Sequence, residues 1–506
     1  MTKIEQVFNC VIPYVHDVDD RNSISLVCRR LYELDGITRK HVTVHVLYCP
    51  NPSRLSQRFP FIDSLTLEGF PFEHCYRQFR CRNHITPWIK EIAVKFTCLK
   101  ELQIRGQLEV CEKDLKTLAI SRGKDLRVMK INKYCRGEWE EGLVHVAKYC
   151  NQLRTLSLEG HGINNEEHGK WLHELAIHNT VLESLHFKFK IHKYEVEDLT
   201  LLARKCSKSL VSLRIHPCSL SLLGDAFRYA VRLEDFSGAY YGKGEDYVDF
   251  KLPPNMRCFG IYDLSVTALT FLLPLANQLK ELNLQFMDSG PNCCCFMVKK
   301  CPNLEVLYTG DRCGDTGLQV IGMFCKKLRE LTYDGRVTSM GLIALAQGCN
   351  NLEYIKVRRV KDISNEAMEC LGTHLKNLRN FSVYKFWETD IPLDNGIRAL
   401  LTGCNKLERL DIILHRGGLT DMGLGYIGKY GHNLKRLYLK CIGESDAGLV
   451  ELSKGCQKLR SLRMKDCPFS EQAVATFMLN MHSLRYIYVQ SNNRIVSALT
   501  RPDFEL

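Results

Sequence analysis

The chain has 506 residues, 45% hydrophobic and 25% charged; a single core stops growing at roughly 250–300 residues, so several domains or a repeating array are expected. A net charge of +12 suits a solvated basic surface, or a basic cavity for an anionic small molecule or acidic partner. No Lys/Arg run is long enough for a nucleic-acid arm, and the longest apolar stretch, Val266 to Ala276, is too short to span a bilayer and contains Pro274.

Residues 1–45 read as a small all-helical domain, with helices over IEQVFNCVIPYV, RNSISLVCRRLYELD and ITRKHVTV. Asp19 and Asp20 stand where carboxylates cap the second helix, and Leu26, Val27, Leu31 and Leu34 fall at helical spacing. So short a segment cannot build its own core, so its apolar residues must pack on the first unit of the adjoining domain or on another protein. MTKIEQVFNC lacks an apolar signal core, which points to a reducing intracellular compartment for the 24 cysteines.

Residues 46–506 carry a repeat. Cys301, Cys325 and Cys349 open successive 24-residue copies, each Leu-x-x-Leu-x-apolar, a polar turn, then Gly-Leu and a helical apolar stripe. This is the cysteine-containing leucine-rich repeat. Strand-start leucines run from Leu65 to Leu484 with a degenerate copy near Met256, giving roughly seventeen strand–helix units. The expected fold is α/β: a curved horseshoe or ring with strands inside and helices outside.

Three stretches break the period: Phe70 to Trp88, Gly238 to Pro254, and Tyr384 to Pro392. Such insertions become loops on one rim, often the binding face. The first keeps Phe70, Phe72, Tyr76 and Phe79, an aromatic load that suits function better than a bare surface loop. Side chains alternate along a strand, so residues one and three after the second leucine face the cavity. These include Gln103 and Arg105, Lys356 and Arg358, Arg463 and Lys465, and Tyr488 and Gln490. Clustered cations on rigid strands suit carboxylate or phosphate recognition. The bland reading is a solvated wall.

Most cysteines sit at one repeat position, where a small buried apolar residue is wanted. Cys293-Cys294-Cys295 is the odd cluster; adjacent cysteines cannot all face one metal and no CxxC lies nearby, so no metal is expected. The sequence has no Gly-rich phosphate loop, GxSxG or HExxH, so an enzyme in its own right is not expected.

A helical N-terminus followed by such repeats resembles the F-box/leucine-rich-repeat proteins, with Ile4 to Asp35 as the F-box-like block. Phrases such as DRNSISLVCRRLYELD, RLSQRFPFIDSL, GLIALAQGC, PLDNGIRALLTGC and RGGLTDMGLGYIGKY resemble the plant coronatine-insensitive jasmonate receptors, with auxin receptors as a sister group. The resemblance implies a non-catalytic substrate receptor of a nuclear and cytoplasmic SCF ubiquitin ligase. An Skp-type adaptor and cullin would dock through Leu26, Val27, Cys28 and Arg29. A JAZ-type repressor degron would be held over a jasmonate-like small molecule, with an inositol polyphosphate beneath. Carried over residue by residue, the hormone and degron pocket is Phe72, Tyr76, Lys356, Arg358, Lys465 and Tyr488, and the anion floor Arg105 and Arg485. Family arginines fall on Thr332 and Ser382, and a basic loop residue falls on Phe72. The expectation is a divergent member with retained ligase architecture and altered hormone selectivity. The alternative is a decoy or scaffold without hormone binding.

Overall fold

The computed structural model describes residues 3–15, 17–46, 49, 51–69, 84–132, 135, 140–159, 169–187, 194–240, 247, 250–262, 267–284, 291–310, 313–385, 391–491 and 494–500. Strands alternate with helices along most of the described chain, except between the strands Asp235–Tyr240 and Cys258–Tyr262 and between Tyr486–Ser491 and Arg494–Thr500. The first six strands are β1 (His41–His45), β2 (Ser64–Glu68), β3 (Glu101–Arg105), β4 (Val128–Ile131), β5 (Thr155–Leu158) and β6 (Ser184–Phe187). Next come β7 (Ser212–Ser219), β8 (Asp235–Tyr240), β9 (Cys258–Tyr262), β10 (Glu281–Leu284), β11 (Val306–Thr309) and β12 (Glu330–Val337). The last are β13 (Tyr354–Val360), β14 (Asn380–Lys385), β15 (Arg409–Ile413), β16 (Arg436–Lys440), β17 (Ser461–Lys465), β18 (Tyr486–Ser491) and β19 (Arg494–Thr500).

From β1 to β18 each strand pairs in parallel with the next. The leucines stay in register from copy to copy. Leu282, Leu307, Leu331, Ile355, Phe381, Leu410, Leu437 and Leu462 form one buried row. The helices meet this row with residues at i, i+3 and i+4, such as Leu342, Leu345 and Ala346. The repeat cysteines knit copies together: Cys349 Sγ donates to the Cys325 carbonyl at 3.3 Å, and Cys404 Sγ to that of Leu375 at 3.3 Å. Burial pushes the thiols of Cys301, Cys325, Cys404 and Cys456 up to about 12, which keeps them inert. Successive helices approach closely where Gly455 faces Gly428; a Cβ on Gly455 would lie 1.9 Å from the Gly428 carbonyl oxygen.

The N-terminal block differs from its expected form. The helices are α1 (Lys3–Val11), α2 (Val18–Ser25) and α3 (Arg29–Thr38). The stretch read as one second helix breaks at Leu26–Cys28, and the cap of α2 is Asp17, whose carboxylate accepts from the Asp20 amide at 2.9 Å. ITRKHVTV is not a helix. Its end is β1, because Val42 and Val44 alternate into the core against Leu65 and Leu67 of β2. The sheet therefore begins at His41, within the segment read as helical, and eighteen parallel strands replace the roughly seventeen expected. An antiparallel nineteenth, β19, lies along β18.

Ile12, Leu31 and Leu34 form a core apart from the main one. What fastens this block to the solenoid is Asp35, fully buried at 0% exposure. Its carboxylate meets Arg21 Nε at 2.8 Å, Arg39 Nη2 at 3.0 Å, and Arg58 Nη2 at 3.4 Å. Arg58 lies in α4 (Pro52–Arg58), the first solenoid helix, and stacks on Tyr32 of α3 at 3.3 Å. At the far end, the Tyr486 ring of β18 comes within 5.4 Å of the His45 ring of β1. The sheet does not close by hydrogen bonds among the described residues, yet its two ends touch.

Of the three insertions, residues 70–83 and 386–390 lie outside the described residues. In the second insertion, Phe250 packs edge-on against Phe227 and Phe271 at centroid distances of 5.9 and 6.0 Å, extending the core. Among the described residues no helix is long and apolar enough to cross a membrane.

Candidate docking turn and ligand-binding rim

Breaking the helix at Leu26 creates a surface. Leu26 and Val27, each 71% exposed, project from the turn between α2 and α3 beside exposed Cys28. Arg29 opens α3 with its guanidinium in solvent, 3.2 Å from Glu33. Val7, Phe8, Val11, Tyr14, Val18 and Tyr32 are exposed on the same small block. Apolar exposure concentrated this way marks a partner surface. The predicted docking residues Leu26, Val27, Cys28 and Arg29 thus come together on one turn.

The concave face has two rims, set by strand register. Asp334, Arg358, Tyr384, Ile413, Lys440, Lys465 and Gln490 stand near the C-terminal ends of their strands. Arg105 ends β3 at the same rim, opposite Glu68. Arg485 precedes β18, its amide bonded to the Arg460 carbonyl at the start of the ladder. Its level matches Lys100, five residues before Arg105 and about 16 Å away along the strands. The structure does not bring Arg105 and Arg485 onto one floor.

The C-terminal rim is held by an unusual backbone. Arg105, Arg358, Lys440 and Lys465 are each followed by a residue in the left-handed region: Gly106 (φ 74°), Arg359 (φ 57°), Cys441 (φ 57°) and Asp466 (φ 53°). For a non-glycine residue this conformation costs roughly 1–2 kcal/mol, so the surrounding packing holds these turns in place. Lys356 Nζ and the Arg358 guanidinium lie 5.6 and 5.8 Å from the Tyr384 ring, and Asp334 stands 3.7 Å from Arg358. Burial, with Asp411 nearby, pushes the Tyr384 phenol up to about 12, so it stays a neutral donor.

On β16 and β17, Lys440 sits directly beside Lys465. Arg463 lies over Tyr438 at 4.5 Å and Tyr488 at 5.3 Å, and its buried Nε has no hydrogen-bond acceptor among the described residues. The wall opposite in charge lies earlier: Arg214 is caught between Asp235 at 2.8 Å and Glu281 at 3.5 Å, with Glu330 two strands beyond Glu281. The face is therefore split into an acidic sector and a cationic one.

The F-box family matches residues 1–41. Over 510 residues the chain is 40% identical to Coronatine-insensitive protein 1 of Arabidopsis thaliana, covering 96% of this chain and 85% of that one. Coronatine-insensitive protein homolog 1a of Oryza sativa subsp. japonica is also 40% identical, with 96% and 84% covered. GRR1-like protein 1 of Arabidopsis thaliana is 28% identical, with 96% and 86% covered. The chain belongs to the coronatine-insensitive protein family.

In this coronatine-insensitive protein the expected pocket residues are not all alike in placement. Phe72 and Tyr76 lie outside the described residues. Lys356, Arg358 and Lys465 are half-buried on the concave face. Tyr488 is not open to it: with 0% exposure it is covered, opposite Ala498 of β19, and its hydroxyl donates to Gln490 Oε1 at 3.3 Å. Thr332 and Ser382 are both buried. Ser382 Oγ donates to Asp411 at 2.8 Å, and the same carboxylate accepts from Arg409 Nε and Nη2 at 3.0 and 2.8 Å. Beside it, burial and the neighbouring Arg409 hold the Arg436 guanidinium below its ordinary value. Sequence reasoning missed Arg409 and Arg436. They precede the second strand leucine rather than come after it, but strand alternation puts both positions on the same face.

Proposed function

We propose that this protein is the substrate-recognition subunit of an SCF ubiquitin ligase. The F-box takes an Skp-type adaptor on the Leu26–Val27 turn, and the adaptor brings the cullin. The solenoid captures a JAZ-type repressor degron in the nucleus, with a jasmonate-like carboxylate seated against Lys356, Arg358 and Lys465. The protein itself is a receptor and carries out no catalysis.

One observation supports the reading above the rest: a solvent-facing apolar turn is fastened through buried Asp35 to a solenoid whose inner rim is cationic. A second supports the anion. Lys440 and Lys465 are direct neighbours across a parallel ladder, about 4.8 Å apart. Two cations side by side give this stretch of the rim a positive field that suits an anion. A jasmonate-like carboxylate or a supporting inositol polyphosphate supplies it.

Recovery of a JAZ degron peptide on the immobilised complex of this chain with its adaptor, with and without jasmonoyl conjugate, tests the proposal. Conjugate-dependent recovery is expected. Thr332 and Ser382, onto which the family resemblance places arginines, favour the second reading, a scaffold that docks the adaptor but binds no hormone. Adaptor capture with conjugate-independent peptide recovery would establish that reading, and absence of the adaptor would remove the ligase role.

A further inference from the structure

The middle row of the concave face runs strand by strand from Thr43 on β1 to Tyr488 on β18. Along it, among the described residues, Asp411 of β15 is the sole acid. It stands inside the cationic sector. Lys356 lies two strands to one side, about 10 Å away, and Arg463 two strands to the other. An acid in the middle of a face that suits anions is out of place unless it serves those cations itself.

Asp411 is 2% exposed, and its oxygens are taken. One accepts from Ser382 Oγ at 2.8 Å and from Arg409 Nε and Nη2 at 3.0 and 2.8 Å; the other accepts from Arg409 Nε at 3.1 Å. An arginine edge with a hydroxyl beside it is a donor set that grips a free carboxylate or phosphate. Here the chain supplies the acid. The surroundings hold a second cation, because Arg436 is the neighbour of Arg409 in the ladder. Burial works to lower the Arg409 guanidinium, but its bonds to Asp411 lift it above its ordinary value, whereas burial and Arg409 hold Arg436 below its own. Two adjacent guanidiniums thus stand beside one hydrogen-bonded carboxylate.

We propose that Asp411 is a specificity-determining residue: its carboxylate fills, from within the chain, an anion site made by Arg409, Arg436 and Ser382, so that the acid group of a ligand is refused at β14–β16. An incoming carboxylate would have to displace a tethered one whose local concentration it cannot match, and it would meet the negative charge of Asp411. The ligand surface over Asp411 is therefore uncharged, and the ligand's acid goes to Lys356 and Arg358. That orientation rests on the receptor reading above; the occupied anion site does not.

The test uses the full chain bound to its adaptor, with inorganic phosphate as the probe, titrated by calorimetry against chloride at constant ionic strength. Asp411→Asn keeps the shape and removes the charge. It should bind phosphate on the order of tenfold more tightly than the parent, the weight of one charge-assisted hydrogen bond. Adding Arg409→Gln should abolish the gain, which separates this site from the cations Lys440 and Lys465. Melting gives a second readout. Asp411→Asn and Asp411→Ser should melt below the parent in chloride and recover in phosphate, whereas a carboxylate that merely braces the strands would give the loss without the recovery. With the jasmonoyl conjugate, Asp411→Asn should favour the free acid and leave the methyl ester unchanged. The proposal is overturned if the gain in phosphate affinity is below about threefold, or if it survives Arg409→Gln. If the conjugate binds none of these proteins while phosphate gains its site, the receptor reading fails and the occupied anion site stands. If the conjugate binds the parent and phosphate gains nothing, the receptor reading stands and this proposal fails.

Discussion

Replacing Asp35 with alanine should release the F-box from the solenoid without unfolding the solenoid. Asp35 is fully buried and meets Arg21, Arg39 and Arg58 at 2.8–3.4 Å, with those guanidiniums largely buried too. Removing one partner from a buried ion pair costs about 3–5 kcal/mol, because the remaining charge loses its compensation. Here three cations would be left facing one another. Two have partial refuge: Arg58 keeps the Tyr32 ring at 3.3 Å, and Arg39 keeps Asn22 at 2.8 Å. We therefore take the lower end, about 3 kcal/mol. The N-terminal block has only a small core of Ile12, Leu31 and Leu34 to set against this loss. Amide exchange in α2 and α3 should accelerate on the order of 100-fold, while exchange in β12–β15 stays as in the parent. Asp35→Asn, which keeps shape but not charge, should fall between. If exchange in α2 and α3 changes less than about fivefold, a shift of roughly 1 kcal/mol, the junction is not held by this carboxylate.

Leu26→Ala with Val27→Ala should abolish adaptor capture in a pull-down and leave the melting temperature within about a degree, since exposed substitutions shift stability by less than about 0.5 kcal/mol; full capture would show that the adaptor docks elsewhere. Lys356→Glu with Arg358→Glu should weaken binding of an inositol polyphosphate by calorimetry. Each charge-assisted bond is worth roughly 1.5–3 kcal/mol, and unchanged affinity would make both residues solvated wall. The hydroxyl and amide of Ser470 hold the Asp446 carboxyl below its ordinary value. Its contribution to stability is therefore present above the unfolded value near about 3.9 and is lost as pH falls through the lower folded value. Asp446→Asn should melt below the parent at neutral pH, with the gap closing in acid; a gap that stays constant down to about pH 2.5 would contradict this.

Much of the architecture was legible because the repeat states it many times over. The strand leucines and helix stripes of 301–480 come directly from period and alternation. β1 was hidden because HVTVH offers just two apolar residues directly after a helix, without the Leu-x-x-Leu frame. β19 had a sequence signal, the pair Asn492-Asn493 between two apolar-containing runs, a dipeptide type common where one strand returns along another. The Asp35 junction depends on positions 21, 35, 39 and 58 meeting in space, and no local spacing encodes that. At the binding face the residue types and, for the positions after the second leucine, their levels were readable, while the pairing of Arg409 with Asp411 and Ser382 was not. Arg105 stands three residues after the second strand leucine and Arg485 directly after the first, so the repeat frame itself separates their levels once it is applied to both.

The contact between His45 and Tyr486 constrains how this protein can evolve. An open solenoid can gain or lose a unit at modest penalty, since each unit answers only to its neighbours. Here curvature accumulated over eighteen strands delivers the last one to the first. One extra unit would carry Tyr486 past His45, and one fewer would leave a gap of about 4.8 Å between the ends. Repeat number becomes a quantised property of the whole circuit, so length variation in this scaffold is driven into the loops between strands and helices.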